Sequence, residues 1–210
     1  MNSVIIIFAL AVLIFSAIVH EVAHGYAALA LGDTTAKDAG RLTLNPINHL
    51  DPFGSIVFPL FLYIIHSPIL VGWAKPVPYN PNNLYKDFKY GPLKVALAGP
   101  LSNLLIAAVF GLIIRFVPLP QTTEIFLAIV VFINCLLMVF NLIPVPPLDG
   151  SKVLTLILPS RYSTMIQGAG IWWFFLVLLM LYAFFGVIFY LAVHLFTLLA
   201  GSGAINLLPF

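Results

Sequence analysis

Four long apolar stretches, Val4–Leu31, Leu93–Val117, Ile125–Ile143 and Ile171–Ala200, dominate the chain. Each is near or above the ~20 residues that cross a bilayer as a helix. A water-soluble domain carries about 25% charged residues, whereas this chain carries 8%, against 62% hydrophobic residues and a mean hydropathy of +1.10. That leaves too little polar surface to face water all round. The expected fold class is an all-α polytopic membrane protein with about four transmembrane helices. In 210 residues these spans use nearly the whole length. One membrane-embedded domain over 1–210 is expected, with a core over 1–158 and a final membrane helix over 171–200.

The connecting segments carry the punctuation. Gly32–Pro52 is polar, and its Asp33–Thr34–Thr35 and Asn45–Pro46 signals suit turns and short strands. Phe53–Trp73 is apolar but interrupted by Pro59, His66 and Pro68, and Lys75–Tyr90 reads as an interfacial loop. As one helix the last stretch would measure roughly 45 Å, longer than the ~30 Å hydrocarbon core. It contains no polar turn residues, so a single crossing that tilts or kinks near Gly186 is expected. The opening Asn2–Val19 lacks a positive n-region and a small-residue cleavage site, so it is expected to stay as a span. The net charge of +2, without a basic run, excludes a nucleic-acid partner. The single cysteine, Cys135, rules out an internal disulfide or a cysteine zinc cluster and reads as a buried core residue.

Chemistry enters at the end of the first span. His20–Glu21–Val22–Ala23–His24 is an H-E-x-x-H pattern. On a helix, positions i and i+4 share one face, so both imidazoles can reach one metal ion. Glu21 stands beside that face, where it can take a proton from water that a zinc ion has made acidic. Two histidines and a glutamate in an apolar span cost several kcal/mol unless paired or metal-bound. A catalytic zinc takes a third protein ligand, and the candidates are His49, Asp51, His66, Glu124, Asp149 and His194. Asp149 ends the run Asn141 to Gly150, whose three prolines forbid a continuous helix. Non-helical backbone at membrane depth is tolerated only where it lines a cavity or is buried in protein, which marks this carboxylate as functional.

Three motifs in order, His20 to His24, Ala98–Gly99–Pro100–Leu101–Ser102–Asn103, and Asn141 to Gly150, resemble the site-2 protease family of intramembrane metalloproteases. The resemblance runs from about residue 16 to residue 158. With His49–Leu50–Asp51–Pro52 it is to the compact bacterial and archaeal members, which have neither a PDZ insertion nor a nucleotide-sensing domain. It implies one zinc per chain held by His20, His24 and Asp149, with Glu21 as the general base. It also implies that Asn141 contacts the substrate backbone.

An amide such as Asn141 can donate to a carbonyl and accept from an N–H, which suits holding an extended strand. Asn134 lies seven residues earlier on the same helical face. It can extend that contact or tie helices together, as asparagine commonly does in membranes. His49 and Asp51 read as fasteners of the loop under the site.

The metal model makes a demand on topology. His20 and Asp149 must share a depth, so their spans run in the same direction and Leu93–Val117 runs the opposite way. Phe53–Trp73 is then a re-entrant or hairpin segment, not a single crossing. Lys37, Arg41, Lys75, Lys86, Lys89, Lys94, Lys152 and Arg161 fall on the site's side, with Arg115 alone near the other. By the positive-inside rule that side is cytoplasmic.

The expected function is hydrolysis of peptide bonds in the transmembrane helix of a membrane-protein substrate, in the cell membrane, as in regulated intramembrane proteolysis. A strand around Ala39–Asn45 is expected to clamp the unwound substrate. A non-peptide zinc hydrolase and a metal-ion transporter are the alternatives.

Overall fold

The computed structural model describes residues 3–57, 60, 61, 64, 75–153 and 172–208. Among the described residues, four helices are long and apolar enough to cross a membrane: α1 (Ser3–Ala30), α3 (Gly91–Phe116), α4 (Gln121–Asn141) and α5 (Trp172–Ala200). A short helix, α2 (Thr35–Asp38), follows α1. The all-helical polytopic class expected from the four apolar stretches is what the chain adopts. The last stretch is one continuous helix through Gly186.

Helix directions follow from the side-chain contacts between them. Phe8 meets the Phe126 ring at 4.7 Å, and Ser16 Oγ accepts from Asn134 Nδ2 at 2.9 Å, so α1 and α4 run in parallel. His24 pairs with Val95 and His20 with Asn103, so α3 runs antiparallel to α1. Arg115 Nη1, near the end of α3, donates to Leu198 O near the end of α5, so those two run in parallel. The parallel pair α1 and α4 is what lets two distant segments end at one depth.

Polarity is arranged inside out. Ile7, Leu10 and Phe15 of α1, Leu105 of α3 and Tyr182 of α5 are exposed, while Ser16, His20, His24, Asn103 and Asn134 are buried. Lipid gives apolar side chains no reason to turn inward, so helices in a membrane associate through small residues and hydrogen bonds. Gly111 shows the first device: a Cβ there would stand 2.9 Å from Leu199 Cβ of α5. Ala107, Ala128, Cys135, Ala192 and Phe196 fill the α3–α4–α5 core.

The Gly32–Pro52 connection differs from expectation. Among the described residues it holds no strand, only helical turns: α2 and a 3₁₀ turn at Pro46–His49. Local side chains account for this. Asp33 Oδ1 accepts from Thr35 N and Oγ1, Asn45 Oδ1 accepts from Ile47 N, and Pro46 sits where the turn begins. Each takes a backbone donor that a ladder would need. The expected strand clamp at Ala39–Asn45 has no strand to use. Most of Phe53–Trp73, and with it His66 and the expected re-entrant turn, lies outside the described residues, as does Arg161.

Candidate metal centre

Ser16, His20 and His24 recur at intervals of four along α1 and turn to the same buried face. His20 Nδ1 lies 2.6 Å from Asn103 Oδ1, and His24 Nδ1 lies 2.7 Å from Val95 O. Both partners are carbonyl oxygens and can only accept, so each Nδ1 carries the hydrogen and donates it. The tautomer this selects leaves a lone pair on each Nε2. Asn103 is itself held: its Nδ2 donates to Asn134 Oδ1 at 2.9 Å, and Asn134 Nδ2 donates to Ser16 Oγ and Val130 O.

The third group arrives on the loop after α4. Pro144, Pro146 and Pro147 stop the helix, and the Pro146–Pro147 bond is cis. The loop closes on itself through Gly150 N–H, which donates to Asn141 O at 2.7 Å. A Cβ at Gly150 would overlap the Leu142 and Ile143 carbonyls, so the closure needs glycine. Asp149 Oδ2 comes to rest 3.0 Å from His20 Nε2 and 3.2 Å from His24 Nε2.

This donor set fits a divalent zinc-type ion. Asp149 Oδ2 is buried with no hydrogen-bond donor among the described residues, and it lies against two ring nitrogens whose hydrogens are committed elsewhere. One cation satisfies all three lone pairs at once, and two imidazoles with one carboxylate are a ligand set that leaves a fourth position open. Gly99 makes the room: a Cβ there would stand 2.5 Å from His24 Nε2 and 2.6 Å from His20 Cε1.

Glu21 stands beside the pair, its carboxylate within 4.8 Å of both histidine ligand atoms. Its Oε2 accepts from Val77 N–H at 2.8 Å. The three α1 residues and Asp149 open onto a cavity of about 220 Å³ that Tyr79, Asn141, Leu148 and Lys152 also line.

The other sequence candidates sort by position. Asn141 faces the cavity, with Nδ2 donating back to Leu137 O at 3.0 Å. Asn134 is fully buried and its amide bonds with Asn103, Ser16 and Val130, the helix-tying arrangement that was one of its two expected roles. His49 donates from Nε2 to Thr43 O, and Asp51 Oδ1 accepts from Gly54 N, so both fasten their own loop. Glu124 lies in the first turn of α4, at the far end from Asn141, and His194 stacks on Tyr190. The sequence shows Asn103 only as the last residue of the second motif, without its bond to His20, and does not mark Ser16. The i−4 spacing of Ser16 from His20 was the available signal.

Residues 119–184, which include α4 and the Asp149 loop, match the family model described as Peptidase family M50. YwhC of Bacillus subtilis (strain 168), which bears a zinc-metalloprotease name, is 38% identical over 156 residues, covering 70% of this chain and 67% of that protein. Rip2 of Mycolicibacterium smegmatis, similarly named, is 26% identical over 170 residues, covering 80% of this chain and 64% of its own length. The chain thus spans about two thirds of each relative. No solved structure matches it. With four membrane-length helices around a His–Glu–His cluster, and a relative of this identity and coverage, the chain belongs to the site-2 protease family, peptidase family M50.

Proposed function

We propose that the chain hydrolyses peptide bonds of membrane-protein substrates within the bilayer, using one zinc ion held by His20, His24 and Asp149. The observation that carries this reading is the convergence of two imidazole Nε2 atoms and a buried carboxylate oxygen on one point, with a second carboxylate beside it.

Bound there, zinc supplies Lewis acidity and makes water acidic enough to lose a proton near neutral pH. The protein's own groups do the rest. Val77 N–H holds Glu21 through Oε2, and the carboxylate takes a proton from water and passes it to the leaving amine nitrogen. Asn103 and the Val95 carbonyl hold the two imidazoles in one tautomer and one orientation. Asn141, on the cavity wall, holds the substrate backbone next to the bond that breaks. A substrate helix has its carbonyls locked in its own hydrogen bonds, so it unwinds locally before attack.

Charge supports an orientation. Lys37, Arg41, Lys75, Lys86, Lys89, Lys94 and Lys152 belong to the site's end of the bundle and Arg115 to the other, a bias that supports a site nearer the cytoplasmic face of a cell membrane. The metal-transporter alternative calls for ligands repeated along a path, and among the described residues the His–Glu–His cluster stands alone.

The test is cleavage of a panel of single-span membrane proteins by purified chain in lipid, with and without a zinc chelator. Wild type should cleave and Glu21→Gln should retain zinc and lose cleavage. Proteolysis at the wild-type rate in Glu21→Gln rejects the reading.

A further inference from the structure

We propose that Arg41 is a positioning residue for Glu21, acting through the backbone of Lys75–Val77; this rests on Glu21 being the proton-transfer group. Arg41 lies just beyond α2, is only 7% exposed, and makes no ion pair among the described residues. A buried guanidinium is expensive unless its donors are used. Its Nη2 donates to Lys75 O at 2.7 Å and to Pro76 O at 3.4 Å, while its buried Nε has no hydrogen-bond partner among the described residues. The Pro76 carbonyl belongs to the same planar peptide unit as the Val77 N–H that donates to Glu21 Oε2. Arg41 therefore fixes the two carbonyls immediately before the one amide that fixes the carboxylate.

Three further contacts make this segment a rigid part of the site. Lys75 N–H donates to His49 O at 2.9 Å, which ties its start to a buried residue. The Val77 side chain is buried against α1, where a Cβ at Gly25 would stand 2.9 Å from Val77 Cγ1 and 2.5 Å from Leu42 Cδ2. Pro76 and Val77 also line the same cavity as His20, Glu21 and His24. Prolines on both sides of Val77 lack an N–H, so Val77 is the only backbone donor between Pro76 and Pro78. With φ restricted at both prolines the segment has few conformations, and the Arg41 hydrogen bonds restrict it further.

The role predicts a defect in turnover without a defect in metal binding. Misplacing a catalytic group by about 1 Å costs up to roughly 100-fold. Full-length Arg41→Gln and Arg41→Lys proteins, zinc-loaded in lipid, are compared with wild type in three readouts: zinc per chain, amide exchange at Val77, and kcat and KM on a single-span protein that wild type cleaves. Arg41→Gln should keep its zinc, exchange the Val77 amide at least about tenfold faster, and lose about 10- to 100-fold in kcat with KM nearly unchanged. Arg41→Lys, which retains a donor, should recover part of both effects. Glu21→Ala should speed Val77 exchange with Arg41 intact, an outcome independent of catalysis.

Wild-type exchange and kcat in Arg41→Gln overturn the proposal. So does a loss of thermal stability with unchanged kcat, which makes Arg41 a loop fastener only, or failure of both Arg41 variants to fold. If Glu21→Gln still cleaves, the reading of Glu21 itself is what fails.

Discussion

The Asn103 side-chain oxygen lies 2.6 Å from His20 Nδ1, across 83 residues of sequence and between two antiparallel helices. That contact sets the imidazole's tautomer, and Asn103 is in turn fixed through Asn134 to Ser16. A partner behind a metal-ligating histidine typically contributes about 10- to 100-fold in metal affinity. Asn103→Ala should therefore weaken zinc binding by about that factor, read by competition against a chromogenic chelator. Wild-type affinity in this variant would show that the bond does not orient His20.

Gly99→Ala puts a methyl group into space that both imidazoles occupy. Overpacking of this kind costs about 1–3 kcal/mol where neighbours can shift. Here the neighbours are the histidines themselves, so the cost should appear as lost zinc and lost cleavage as well as a lower melting temperature. A Gly99→Ala protein with full zinc content would contradict the packing described.

Acid sensitivity should trace partly to Asp33. Burial alone would raise its carboxyl, but hydrogen bonds from Thr35, Asn80 and Asn83 outweigh burial and hold it below its ordinary value of 3.8. A carboxyl lowered on folding stabilises the fold above its unfolded value, and that contribution is lost as pH falls through the folded one. Thermal melts of the zinc-free protein should thus decline below about pH 4. Asp33→Asn should melt lower at neutral pH and lose less on acidification, because it cannot titrate. Parallel pH profiles for the two proteins would exclude Asp33 as the source.

Gly150→Ala should open the loop that carries Asp149, since the new Cβ would overlap the Leu142 and Ile143 carbonyls. Zinc occupancy should fall although no ligand has changed. Full occupancy, measured as metal per chain, would mean that the loop tolerates rearrangement at its base.

Much of this was legible in the sequence, for identifiable reasons. His20 and His24 were readable because helical periodicity alone puts i and i+4 on one face. Asp149 was readable because the prolines forbid helix and leave a carboxylate at a break. The four spans were readable from their length and apolarity. Pairings across helices were not, because they depend on register: whether Asn134 faces the cavity or Asn103 is settled by how α3, α4 and α1 slide against one another. The Val77 N–H that meets Glu21 was invisible for a different reason, since any residue but proline offers the same donor. The loop after α1 was misread as strand-forming because its threonines and turn residues suit both, and only the side-chain bonds of Asp33 and Asn45 decide for helical turns.

Joint metal coordination by the His20–His24 pair and the distant Asp149 is tested most directly by metal analysis of purified wild type and Asp149→Ala. Wild type should hold one zinc per chain, and Asp149→Ala should lose it under a chelator concentration that wild type withstands. Equal zinc retention in both proteins would contradict the account.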